Sequence, residues 1–263
     1  ESIKINNNNY ENLISQSAAT SLENKISSYK KAIDIYPDRI DGYMKMIEAY
    51  EDDGKFGKTE NDEFLALYNA NKDNLDVTSK EYAELNYKIG MMYFNYYSND
   101  DGSYEFSTRV QKAYSFFAVN YENKEISSQF EYKRISDCYY QICSFYKQYI
   151  LNSATVEEAS KENYETLFDD INIALEDVRD ASPYDQLTLY NGTFMLLYDQ
   201  NVSMAQVDVS ESEVLSLLDT VYDNAKKLSV QKEQSKKMQE EIIDNYESYK
   251  RVIQRTYINA NER

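Results

Sequence analysis

Between residues 20 and 36 the apolar positions Leu22, Ile26, Tyr29, Ala32, Ile33 and Tyr36 stand three or four apart. That is the spacing of one face of an amphipathic helix, and Pro37 stops it. A second helix starts near Asp41 and runs through Tyr43, Met46, Ile47 and Tyr50. It ends in the acidic turn Glu51-Asp52-Asp53-Gly54, where glycine can take the left-handed conformation that helix termini favour. So short a connection makes the two helices antiparallel. The same periodicity predicts helices at about 61–71, 79–97, 106–121, 127–150, 157–180, 184–199, 210–229 and 232–258. The clearest breaks are Ser98-Asn99-Asp100-Asp101-Gly102-Ser103, Ala181-Ser182-Pro183 and the polar stretch from Gln200 to Ser210.

Composition agrees with a chain of helices. Only 6 Gly and 2 Pro occur in 263 residues, whereas an all-β fold with its many tight turns needs more of both. Hydrophobic residues make up 42%, enough for a core, and the aromatic share is nearly all Tyr (27) and Phe (10). Tyrosine suits a thin array, because the ring can be buried while the hydroxyl reaches water or a carbonyl.

One pattern recurs: a large residue, two positions, an apolar residue, a small or variable one, two positions, then tyrosine. Its copies are Tyr43-x-x-Met46-Ile47-x-x-Tyr50, Asn86-x-x-Ile89-Gly90-x-x-Tyr93 and Tyr132-x-x-Ile135-Ser136-x-x-Tyr139, with a weaker one at Leu187-x-x-Tyr190-Asn191-x-x-Phe194. These resemble the first helix of a tetratricopeptide repeat (TPR), in which the small residue lets neighbouring helices approach. Gly90 suits that position, while Ile47 departs from it and Asn86 departs from the large aromatic site. Tyr29-x-x-Ala32-Ile33-x-x-x-Pro37, with a partial copy at Ala113-x-x-x-Phe117, is similar to the second helix. Every interval between copies exceeds the roughly 34 residues of a regular repeat, so helices and loops are extended. The resemblance covers about residues 20–200 and implies an all-α superhelix of four to five antiparallel hairpins. Residues 20–263 form its single domain, with the last helices as a polar cap, after a linker over 1–19 that includes Asn6-Asn7-Asn8-Asn9.

The resemblance also implies a ligand groove, lined by residues just after the signature positions. Here these are Met44, Glu48, Glu51 and Asp52 in one helix, Tyr87, Met91, Phe94 and Asn95 in the next, and Lys133, Asp137, Tyr140 and Gln141 in a third. Tyrosine, phenylalanine and methionine on such a wall suit an extended peptide or a glycan, by stacking and adaptable packing. The competing expectation is that further helices fill the groove. The run Tyr87-Lys88-Ile89-Gly90-Met91-Met92-Tyr93-Phe94-Asn95-Tyr96-Tyr97, followed by Arg109 and Tyr114-Ser115-Phe116-Phe117, resembles the TPR-like segment of some receptor-type serine/threonine kinases of Gram-positive bacteria. That likeness implies an extracytoplasmic sensor attached to a kinase domain outside these residues.

Charge and residue chemistry narrow the function. Lys and Arg total 28 against 46 Asp and Glu, and a net charge of −18 opposes phosphate backbones, so nucleic acid is not an expected partner. No run of 18 apolar residues exists to span a bilayer. Histidine is absent, which removes the usual general base, the Ser-His and Cys-His pairs and the commonest zinc ligand. Cys138 and Cys143 lie five apart on a predicted helix, point away from each other, and read as small interior residues. The adjacent carboxylates Asp52-Asp53, Asp100-Asp101 and Asp169-Asp170 face different ways on helices or in turns, so none is an obvious acid/base couple. Aligning Gly102 or Gly54 with the glycine of a calcium loop puts Tyr97 or Ala49 where the first Asp ligand is needed, and both loops fail. No phosphate-binding loop, dinucleotide motif or kinase signature is present. The expectation is a non-catalytic module without metal or cofactor, binding a peptide, a protein or a cell-wall fragment. The alternatives are a structural segment that forms homodimers and, against the absence of Trp and His, a hydrolase or lyase on a helical toroid.

Overall fold

A computed structural model of the chain describes residues 2–15, 21–53, 57–94, 105–151 and 159–262. Among these residues the fold is all-α, with eleven helices and no strand: α1 Ser2–Ser15, α2 Leu22–Ile35, α3 Ile40–Asp53, α4 Lys58–Asn71, α5 Lys80–Phe94, α6 Phe106–Glu122, α7 Glu131–Phe145, α8 Lys161–Asp177, α9 Pro183–Gln206, α10 Glu211–Lys227 and α11 Glu233–Asn261. A five-residue π-helical turn, Tyr146–Ile150, continues α7. Starts are written in the sequence: the Ser21 and Ser160 hydroxyls accept from the amides of Asn24 and Asn163, and Ser182 from Asp185 ahead of Pro183.

The chain divides into two compact units, Glu1–Ser136 and Asp137–Arg263. In the first, consecutive helices pack antiparallel. The pair α5 and α6 makes this explicit: Arg109 Nε and Nη2 donate to the Tyr93 and Phe94 carbonyls at 3.1 and 2.8 Å, Gly90 faces Phe117, and Asn120 Nδ2 donates to Ala83 O at 2.8 Å. Partners fall along one helix as they rise along the other. Gly90 is where the two come close, since a Cβ there would lie 2.5 Å from Phe117 Cε1. Tyr43 packs edge-on against Phe64 and Tyr68 of α4, and the Tyr68 hydroxyl donates to Asn86 Oδ1 of α5 at 3.0 Å. Alternate helices therefore run parallel: α2 with α4 through the Lys30–Glu63 ion pair, α3 with α5 through Lys88 and Glu51, and α5 with the start of α7 through Tyr87 and Tyr132, ring centroids 5.1 Å apart. The copies of the repeated pattern at Tyr43, Asn86 and Tyr132 sit on these alternate helices.

The second unit keeps the same order. Gln239 Nε2 donates to the Ala225 and Leu228 carbonyls, and Lys250 Nζ reaches Asp219 at 2.9 Å, so α10 and α11 are antiparallel. Thr188 meets Met238, while Phe194 and Tyr198 stack on Tyr249 at 4.8 and 4.0 Å, so α9 and α11 are parallel. The fourth copy of the pattern is again interior, with Leu187, Tyr190, Asn191 and Phe194 all buried.

Two boundaries differ from the sequence expectation. Residues 2–15, expected as linker, form α1, because Tyr10 is fully buried: its ring takes the Arg39 guanidinium at 3.9 Å and meets Tyr36 edge-on. The polar stretch from Gln200, expected as a break, carries α9 on to Gln206, because Asn201, Met204 and Ala205 fall on its buried face. The turn comes only at Asp208, whose φ of 59° lies in the left-handed region. Residues 54–56 and 95–104, with Gly54, Asp100-Asp101 and Gly102, lie outside the described residues.

Most repeat-signature residues are interior: Tyr29, Ala32, Tyr43, Met46, Tyr50, Ile89, Gly90, Tyr93, Ile135 and Tyr139 are buried, and only Pro37 and Tyr132 are partly exposed. Two buried hydroxyls, Thr193 Oγ1 and Tyr257 Oη, have no hydrogen-bond partner among the described residues. Each then carries an uncompensated desolvation cost. Thr193→Val and Tyr257→Phe are expected to hold or raise stability, by up to about 1 kcal/mol, whereas Tyr68→Phe, which breaks the bond to Asn86, is expected to lose about 1 kcal/mol. Urea-unfolding midpoints of the three variants check the contrast.

Candidate functional site

The groove residues implied by the TPR resemblance are placed unevenly. On α3, Met44, Glu48 and Glu51 are half-buried and Asp52 is exposed. On α5, Phe94 is partly exposed, but Tyr87 and Met91 are interior. The Tyr87 ring is held between Phe117, 6.4 Å away, and Tyr132. Lys133 at the start of α7 is buried with its ammonium 5.7 Å over the Tyr121 ring. Asn95 lies outside the described residues. Tyr87, Met91 and Lys133 are thus interior, and of the implied residues in this unit Met44, Glu48, Glu51, Asp52 and Phe94 keep exposed surface. Sequence periodicity did not separate these two sets, because α5 is buried on nearly every side from Tyr82 to Tyr93.

In the second unit, Asp137, Tyr140 and Gln141 of α7 are half-buried. The neighbouring thiols are inert: burial first, then the charges of Asp170 and Asp177, push Cys138 up to about 12, and burial raises fully enclosed Cys143 as well. Neither forms a thiolate at neutral pH. Lys250, raised by its hydrogen bonds to Tyr246 and Asp219, stays a cation and ties α11 to α10. None of these groups is shifted towards neutrality, where an acid or base catalyst works best.

Two clefts flank α8. The larger, about 620 Å³, lies between α8 and α10, with Glu165, Asp169 and Glu213 around Phe168 and Leu217. Among the described residues no group of three acidic or thiol side chains is placed to hold a metal ion. The smaller, about 180 Å³, lies between α7 and α8 and is lined by Gln141, Ser144, Phe145, Gln148, Tyr149, Asn163, Thr166, Leu167 and Asp170. Adjacent Asp169 and Asp170 therefore serve different clefts, as successive positions on a helix must. The second cleft was not singled out from sequence, although its signal is there. Gln141 and Ser144 on α7 with Gln148 on the turn that continues it, and Asn163, Thr166 and Asp170 on α8, each repeat the i, i+3, i+7 spacing of one helix face.

Burial, and then the charge of Asp169, raises the Asp170 carboxyl above its ordinary value. A carboxyl that holds its proton more tightly folded than unfolded costs stability once ionised. The cost is absent below the unfolded pKa and complete above the folded one. Asp170→Asn is therefore expected to raise the melting temperature at about pH 7 and to give no gain at about pH 3. Melts at the two pH values check this, and equal effects at both would contradict it.

No protein-family model matches this chain, and neither a curated protein nor a solved structure matches it, so the residues and their geometry carry the functional reading alone.

Proposed function

We propose that this chain is a TPR-like binding module, without catalysis of its own, that recognises a peptide, protein or cell-envelope ligand for a larger protein. A receptor-type serine/threonine kinase with this segment on the extracytoplasmic side is the parent that the sequence resemblance suggests. The observation that carries the reading is the packing of α3 against α5, tied by Lys88 and Glu51, with Met44, Glu48 and Asp52 of the first helix and Phe94 of the second left at least partly exposed. An aromatic, a thioether and carboxylates on adjacent helices suit a peptide with apolar and cationic side chains. The inert cysteines and the missing histidine support a non-catalytic role.

Panning a random peptide library on the immobilised 263-residue chain tests this. The expected result is a consensus whose affinity falls at least about tenfold in Phe94→Ala and in Asp52→Lys, a loss of roughly 1.4 kcal/mol. Selected peptides indifferent to both substitutions would remove the groove. A second reading, self-association, draws on α11, where Ile258 and Val252 are exposed at 56% and 37%. A mass that rises with concentration and falls back in Ile258→Glu would favour it.

A further inference from the structure

The cleft between α7 and α8 differs in kind from the rest of the surface. Gln141, Gln148, Tyr149 and Asp170 line it, and none makes a hydrogen bond or ion pair among the described residues. Asn163 spends its Oδ1 on the Ser160 amide and hydroxyl, which fixes the side chain in the capping box and leaves its Nδ2 donors for the cleft. One wall is aromatic: the Phe145 and Tyr149 rings are 5.0 Å apart, and Phe145 is itself held against Tyr164 at 5.2 Å. The π-helical turn Tyr146–Ile150 begins between these two rings, and such a turn re-aims the side chains it carries.

Unspent carboxamides offer both donors and acceptors, a carboxylate accepts two hydrogen bonds, and a ring face packs against C–H bonds. A molecule that satisfies all of these carries hydroxyl groups around its edge and C–H bonds on its faces. The volume of about 180 Å³ lies below that of ordinary drug-sized sites and has room for one small ring. A bare cation fits poorly, since among the described residues Asp170 is the only carboxylate in the lining. We propose that the α7/α8 cleft binds a single pyranose ring, with Phe145 and Tyr149 against its C–H face and Gln141, Gln148, Asn163 and Asp170 on its hydroxyls. This rests on reading the chain as a binding module but uses different residues from those of α3 and α5.

Saturation-transfer NMR on the full chain decides it, with methyl β-glucopyranoside and methyl N-acetyl-β-glucosaminide as probes and sorbitol as the acyclic control. Saturation is expected on the ring C–H protons of at least one pyranoside, with affinity in the millimolar range, and not on sorbitol. Asp170→Asn and exposed Gln148→Ala, both checked by their melting temperatures, are each expected to weaken binding at least fivefold. No transfer to either pyranoside, equal transfer to sorbitol, or binding indifferent to both substitutions overturns the sugar site. Because peptide panning reads the α3 and α5 residues, a chain that selects peptides but ignores pyranosides loses this site and keeps the module.

Discussion

Phe117→Ala is expected to lower the stability of the first unit by about 3–5 kcal/mol, the usual cost of emptying an aromatic site in a packed core. Phe117 is fully buried and touches the two features that define the α5/α6 pair, the bare backbone at Gly90 and the Tyr87 ring. The reciprocal change, Gly90→Val, puts a Cβ within 3.0 Å of three Phe117 ring carbons. Valine gains some helix propensity over glycine, worth less than about 1 kcal/mol. Overpacking costs about 1–3 kcal/mol, and the ring is hemmed in by Tyr87, so the loss wins. In the Phe117→Ala background the added methyls enter the vacated space, and the cost of Gly90→Val should shrink or reverse. A double-mutant cycle by urea unfolding is expected to return a coupling of about 0.5–3 kcal/mol. Strict additivity would mean that this contact does not set the approach of α5 to α6.

Lys88→Met should be nearly as damaging, at about 3 kcal/mol. Lys88 is 6% exposed, its ammonium stands 3.7 Å from Glu51 Oε1, and the Glu51 side chain is itself only 17% exposed. Removing the ammonium leaves a carboxylate in a poorly solvated place without the Lys88 charge, and the methionine stem fills the volume without answering the charge. Lys88→Met with Glu51→Leu removes both charges and is expected to recover most of the loss. Urea midpoints of the single and double variants check this. Equal losses in the two would mean that the pair matters through volume and not charge.

Helix positions were legible wherever one face is apolar and the other polar, as in α2, α3, α10 and α11. The repeated tyrosine pattern located the alternate helices, because Met46, Ile89 and Ile135 hold the same position of the pattern and all three are fully buried. Legibility failed where polar residues are interior. Asn201 sits on a buried face and hides the last two turns of α9, and asparagine-rich α1 buries Tyr10. Lys88 and Lys133, which a sequence places on the surface by their charge, are buried beside a carboxylate and over a ring. Which groove residues stay open depends on what the neighbouring helix covers, and no spacing within α5 encodes that. The α7/α8 cleft was hidden for a simpler reason: a stripe of amides and hydroxyls reads as ordinary solvated surface until a second stripe is found opposite it.

The most direct test of a binding module is a thermal-shift screen of the chain against peptides and cell-wall fragments, run in parallel on Phe94→Ala and Asp170→Asn. Ligands that bind only the folded chain raise its melting temperature by mass action. At least one class is expected to raise it, with the rise lost in the variant of the face that class uses. If no class shifts the melting temperature, or every shift survives both substitutions, neither face is a recognition surface and the account fails.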